Sequence, residues 1–154
     1  MKTLDRYVEG FKWKMKTTLR FFFIFSVFAI MSSVCKAEVD PNVWVEGGSG
    51  KDFQQYLYIP DLLNTKKTTR QFEGHKIVNV WLLSMNDDGS SSKSLLQFYL
   101  NPDYKQIRSI EWIGYDKDGN ISYSGRNNNA QWGRVIPGTV GEINYSIVER
   151  WATY

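Results

Sequence analysis

Cysteine and histidine are nearly missing from this chain: Cys35 and His75 stand alone among 154 residues. A single thiol excludes an intrachain disulfide. A single imidazole excludes a multi-histidine metal site and leaves any hydroxyl or thiol nucleophile short of its usual base. Long apolar runs are missing too, since Phe21 to Val34 covers 14 residues (34 − 21 + 1), and crossing ~30 Å of hydrocarbon takes about 20. Strong charge of one sign is also lacking. The net charge is +3, but seven of the 19 basic residues (Lys2, Arg6, Lys12, Lys14, Lys16, Arg20, Lys36) precede Glu38, leaving 12 against 14 acidic ones (16 less Asp5 and Glu9). A slightly acidic remainder lacks the electrostatic footprint of a nucleic-acid binder.

What the first 37 residues do contain is a pattern. Met15-Lys-Thr-Thr-Leu-Arg20 supplies a short basic start, Phe21 to Val34 an apolar core, and Cys35 and Ala37 the small residues before Glu38. These are the three parts of a secretory signal, so cleavage between Ala37 and Glu38 and export to periplasm, outer surface or medium are expected. Membrane contact is then confined to the signal itself. Residues 1–14 precede a pattern that has its own methionine, and they read either as a misread start or as a lengthened basic region. Cys35 follows Ser32-Ser33-Val34 instead of the Leu-Ala-Gly-like stretch of a lipoprotein, which favours ordinary cleavage over lipidation. Residues 38–154 form one domain of 117 residues (154 less 37), enough to bury roughly two-thirds of its unfolded surface. Without the signal it has no thiol, so in an oxidising compartment its core alone must hold it together.

From Val43 onward, short segments rich in Val, Ile, Tyr, Trp and Phe are separated by Gly, Asp, Asn and Ser clusters, an antiparallel β pattern. The expected strands are Asn42–Glu46, Phe53–Ile59, Lys76–Met85, Ser94–Leu100, Lys105–Tyr115 and Ile121–Ser124. Asn86-Asp-Asp-Gly-Ser90, Asn101-Pro-Asp103 and Asp116-Lys-Asp-Gly-Asn120 supply turns between them. Within Lys76–Met85, Val78, Val80 and Leu82 face one way, while Ile77, Trp81, Leu83 and Met85 face the other. Such a strand needs cover on both sides, from loops, a helix or another molecule, and a second copy of the chain is one candidate. After Ile136-Pro-Gly138 the period changes: Val140, Ile143, Ile147, Val148 and Trp151 fall on one helical stripe. Thr139 and Glu142 stand in the relation that closes a helix start. The expected fold class is α+β, an antiparallel meander of about six strands with a C-terminal helix packed on one face.

Val78-Asn-Val-Trp-Leu-Leu, Ser91-Ser-Lys-Ser-Leu-Leu-Gln-Phe, Tyr104-Lys-Gln-Ile-Arg-Ser, Asp118-Gly-Asn and Gln131-Trp-Gly-Arg-Val-Ile-Pro-Gly-Thr follow one another in that order. In order and spacing, from Tyr56 to about Trp151, the chain resembles the bacterial surface-adhesin protein E family. The resemblance implies an exported adhesin-like module that binds host matrix and serum proteins such as laminin, vitronectin and plasminogen. Family members commonly carry one cysteine at the end of a central strand and a second in the terminal helix. Here those regions read Tyr99-Leu100 and Ile147-Val148-Glu149-Arg150-Trp151. Contact of Leu100 with Val148 or Trp151 is expected in place of the bridge, which over a loop of about 50 residues would contribute on the order of 4 kcal/mol.

Sites of chemistry are scarce. Asp116-Lys-Asp118-Gly-Asn120 opens like a calcium loop, but Ile121 and Asn127 stand where its glycine and closing glutamate belong, so it reads as a hairpin turn, as does Asp87-Asp88-Gly89. Ser90-Ser-Ser-Lys93 has nothing nearby to activate its amine, and His75 reads as a polar residue at a strand start. Aromatic residues are in excess. In Lys105–Tyr115, alternation would place Tyr104, Gln106, Arg108, Ile110, Trp112 and Gly114 on one face and Lys105, Ile107, Ser109, Glu111, Ile113 and Tyr115 on the other. Tyr104, Lys105, Arg108, Trp112 and Tyr115 are therefore the candidate protein-binding residues, since interfaces favour Tyr, Trp and Arg. No cofactor and no metal are expected. The leading expectation is a non-catalytic binding module. The alternatives are a periplasmic structural or ligand-binding protein and a small exported enzyme.

Overall fold

The structure is a computed structural model and describes residues 39–68 and 70–153. The expected signal and its cleavage residues, Ala37 and Glu38, lie outside the described residues. Among those described, alternating apolar and polar side chains draw out eight strands: β1 (Trp44–Ser49), β2 (Phe53–Tyr58), β3 (Gln71–Phe72), β4 (His75–Asn86), β5 (Ser91–Leu100), β6 (Gln106–Tyr115), β7 (Ile121–Arg126) and β8 (Gly133–Arg134). They join in one antiparallel sheet ordered β1-β2-β4-β5-β6-β7, with β3 beside β4 and β8 beside β6. Two helices complete the fold: α1 (Ile59–Asn64), which runs into a 3-10 turn at Thr65–Lys67, and α2 (Val140–Thr153). The class is α+β, an open meander with a C-terminal helix against it. No helix of the described residues is long and apolar enough to cross a membrane.

The hairpin turns work through their carboxylates. Asp88 accepts the Ser90 N–H at 2.9 Å and its hydroxyl at 2.6 Å, while Asp116 accepts the N–H groups of Asp118 and Asn120, both at 2.9 Å. These bonds replace the ladder bonds that a reversing chain gives up. Between the turns, β4 and β5 stay in register over ten residue pairs, from Lys76↔Leu100 to Met85↔Ser91. That register turns Val78, Val80 and Leu82 to the helix side, where they join Leu57, Phe98, Tyr145 and Val148 in the core. Leu100, Val148 and Trp151 belong to the same cluster, so apolar contact joins helix to sheet where the resemblance implied a bridge.

Helix α2 keeps part of the stripe its spacing predicts, since Val148 is in the core cluster and Ile147 and Trp151 pack against it, but the inward face is turned toward Asn144 and Tyr145. Asn144, Tyr145, Val148 and Ala152 are buried, whereas Ile143 is 49% exposed. Polar partners on the sheet explain the rotation. Asn144 Oδ1 accepts the Gly48 N–H at 2.9 Å and its Nδ2 donates to Gln55 Oε1 at 2.7 Å, while the Tyr145 hydroxyl donates to Tyr99 O at 2.8 Å. Leaving buried polar partners unbonded costs more than burying one isoleucine gains, so these three bonds set which face turns inward. Gly48 permits the approach, because a Cβ there would lie 2.6 Å from Val140 Cγ1. At the helix start, Glu142 Oε2 accepts the Gly138 N–H at 2.7 Å, and the Thr139 hydroxyl donates to Ile136 O. Only the glutamate half of the expected capping box operates, and it reaches one residue further back.

Candidate functional site

The sheet face opposite α2 is built in rows by strand register. One row runs from Trp44 on edge strand β1 through Tyr58, Trp81, Leu95 and Glu111 to Arg126 on edge strand β7. A second runs Glu46, Tyr56, Leu83, Lys93, Ile113, Ser124, and a third runs Gln54, Met85, Ser91, Tyr115. Leu83 at the middle is buried, and Tyr56, Trp81, Met85, Leu95 and Ile113 around it are half-buried. Both apolar faces of β4 therefore exist as the alternation predicts. Among the described residues, no helix and no second sheet lies over this upper part of the outer face.

The lower part is closed by side chains. Tyr99 takes Phe72, His75 and Trp132 against its ring at centroid distances of 6.0, 5.6 and 5.9 Å. Arg108 locks this cover in place: its Nε donates to Gln97 Oε1 at 2.8 Å, its Nη1 donates to Ala130 O at 3.1 Å, and its guanidinium lies 4.4 Å from the Trp132 ring centroid. Gln97, itself buried, passes the chain on by donating to Asn79 Oδ1 at 3.0 Å. The network fixes the 127–132 loop over the sheet, and it holds the Arg108 guanidinium inside the fold through Nε and Nη1.

The five candidate binding residues do not come together. The expected shared face of Arg108 and Trp112 is broken by a bulge at Ile110: Leu96 pairs with Ser109 and Leu95 with Glu111, so one extra residue reverses the alternation beyond it. Arg108 stays on the outer face, while Trp112 opposite Ser94 turns to the helix side and lies flat on Gly125, where a Cβ would sit 2.5 Å from its ring. Tyr115 is on the outer face, with Lys93 Nζ 6.0 Å from its ring centroid. Lys105 points to α2, 3.2 Å from Glu149 Oε2 and 5.1 Å from the Tyr145 ring centroid. Tyr104 is 51% exposed in the loop before β6. The residues that do assemble, Tyr56, Trp81, Leu83, Met85, Leu95 and Ile113, were marked in the sequence only by the two-faced pattern of β4.

Among the described residues, clefts open on two sides of the sheet. One, of about 380 Å³, opens between the α2 start and Phe53, Leu96, Ile107 and Val135. The other, of about 240 Å³, lies between α1 and β4 and is lined by Asp61, Asn64, Thr65, Thr68, Arg70 and Asn79, with Ile77 and Val78 as its apolar part. Burial lifts the Asp61 carboxyl above the ordinary range, and the bond from the Trp81 N–H pulls it part of the way back. No three His, Cys, Asp or Glu side chains cluster as metal ligands among the described residues. No family model, no curated protein and no solved structure matches the chain.

Proposed function

We propose that the chain is an exported, non-catalytic protein-binding module that binds through the upper outer face of its sheet. The observation that carries this reading is the contiguous patch of Tyr56, Trp81, Met85, Leu95 and Ile113 around Leu83, on a face that α2 leaves open. Soluble chains seldom leave so continuous an apolar surface without a partner. Aromatic residues and Met are also the types enriched where proteins meet. Lys93 within the patch and Glu46, Glu111 and Arg126 around it supply the charged rim that sets orientation.

Export is supported by the three-part signal ending at Ala37. The resemblance to the surface-adhesin protein E family supports the partner class, host matrix and serum proteins, and with it an adhesin role at the cell surface. Solid-phase binding of the exported protein to laminin, vitronectin and plasminogen tests the reading. Saturable binding to at least one of them is expected, and binding to none would remove the adhesin role. Intact-mass analysis tests the export step: a chain beginning at Glu38 is expected, and a product that keeps Cys35 with added lipid would overturn the cleavage site.

A further inference from the structure

Strand β4 loses its neighbour in mid-course. Its ladder with β2 ends at Leu57↔Leu82, and its ladder with β3 begins at Lys76. In between, the main chain on that side is met by other groups. Asp61 Oδ2 accepts the Trp81 N–H at 2.9 Å, and Arg70 O accepts the Ile77 N–H at 3.0 Å. Main-chain groups of an antiparallel strand alternate sides, so the residue midway, Asn79, turns its N–H and C=O to the same side, into the cleft that it lines. Among the described residues, no strand is paired with it there.

This gap has three properties that together describe a ligand. It exposes one residue's length of strand edge and is closed at both ends by the Asp61 and Arg70 bonds, so an added strand is excluded while a single residue fits. Its volume of about 240 Å³ lies below the roughly 300–1,000 Å³ of drug-sized sites, which restricts the occupant to a few heavy atoms. It carries one acid and one base that do not neutralise each other: the ion pairs of the described residues are Lys105–Glu149 and Arg126–Glu111, with neither Asp61 nor Arg70 among them. Asp61 Oδ1 accepts no hydrogen bond among the described residues. A half-buried carboxylate without a cation is costly, and an ammonium group placed against it removes that cost.

We infer that this cleft binds a free α-amino acid with a small side chain, its ammonium held by Asp61, its carboxylate by Arg70, and its polar head set against the Asn79 main chain. Thr68 and Asn64 add a hydroxyl and an amide to the lining, while the Thr65 hydroxyl donates to Leu62 O at 2.6 Å and serves only as wall. The inference is independent of the outer sheet face, so either reading can fail without the other.

Titration of the ¹⁵N-labelled full chain with glycine, alanine and serine tests it, with ethylamine and propionate as probes of each half of the zwitterion. Saturable shifts of the Asn79 and Trp81 amides are expected with the amino acids, and shifts at least about tenfold weaker in affinity with either half alone. Asp61→Asn keeps an acceptor for the Trp81 N–H and removes the charge, so it should weaken binding at least about tenfold, as should Arg70→Gln on the exposed side of the cleft. No saturable shift with any amino acid would overturn the inference. So would equal binding of ethylamine or propionate, or unchanged affinity in the Arg70→Gln variant.

Discussion

Replacing Tyr145 with Phe isolates the polar half of the tie between helix and sheet. The ring is fully buried, tilted at 53° to Phe98 with centroids 6.2 Å apart. Its hydroxyl donates to Tyr99 O at 2.8 Å and lies 3.5 Å from Asn101 O. Tyr99 O also accepts the Asn101 N–H at 3.0 Å, so removing the hydroxyl does not orphan that carbonyl. The loss is then one net hydrogen bond, about 1 kcal/mol, and not the roughly 1–3 kcal/mol of an unsatisfied buried group. Tyr145→Ala also removes the ring and leaves a cavity, for about 3–5 kcal/mol. In a domain holding 5–15 kcal/mol in all, the first is a dent and the second brings the chain close to unfolding. Urea denaturation followed by tryptophan fluorescence reads both. A Phe variant that costs more than about 3 kcal/mol would show that Tyr99 O depends on the phenol, and an Ala variant that costs less than about 1 kcal/mol would show that α2 is not seated as described.

Further expectations separate neighbouring claims. Val148→Ala should cost about 2 kcal/mol and Ile143→Ala less than about 0.5 kcal/mol, because of the two only Val148 is buried; a reversal in thermal melts would show that Ile143 is the packed residue of the pair. Gly48→Ala should destabilise by forcing α2 away from β1, and unchanged melting would show that the helix start does not rest there. Asp61 has its folded-state pKa raised by burial, so its share of stability is present below the unfolded value of about 3.9 and is lost as pH rises through the folded one. Asp61→Asn should therefore match the parent in acid and equal or exceed it in stability at neutral pH, as pH-dependent melts can check. Asp116 behaves oppositely: bonds from Asn120 hold its carboxyl below the ordinary range, and Asp116→Asn should blunt the loss of stability as pH falls through that lowered value.

The meander was readable because its turns are chemical. The Asn86–Ser90 and Asp116–Asn120 clusters bond their own main chain within two to four residues, which a linear reading can see. Helix α1 left a local mark as well, since Pro60 stands in its first turn, yet the strand-like Phe53–Ile59 run hid it. What escaped depends on residues far apart in the chain. The Ile110 bulge is a mismatch between two strands and has no glycine to announce it, and it sent Trp112 to the wrong face. The inward turn of Asn144 rests on Gly48, 96 positions away, and no helical periodicity would bury an asparagine in preference to Ile143. Arg108 looked like a displayed guanidinium because its partners, Gln97, Ala130 and Trp132, meet it only once β5, β6 and the 127–132 loop are assembled.

The central claim, that the open outer face is the binding surface, is tested most directly by binding kinetics of the exported protein on immobilised laminin, vitronectin and plasminogen, with Trp81→Glu set beside Ile143→Glu. Trp81 lies in the patch and Ile143 on exposed helix surface elsewhere, so the pair introduces the same charge at two sites with one expected consequence. Trp81→Glu should lose at least about tenfold in affinity, as truncation of a central aromatic anchor does, with its melting temperature held, while Ile143→Glu binds like the parent. Equal affinities for the two variants and the parent would contradict the account.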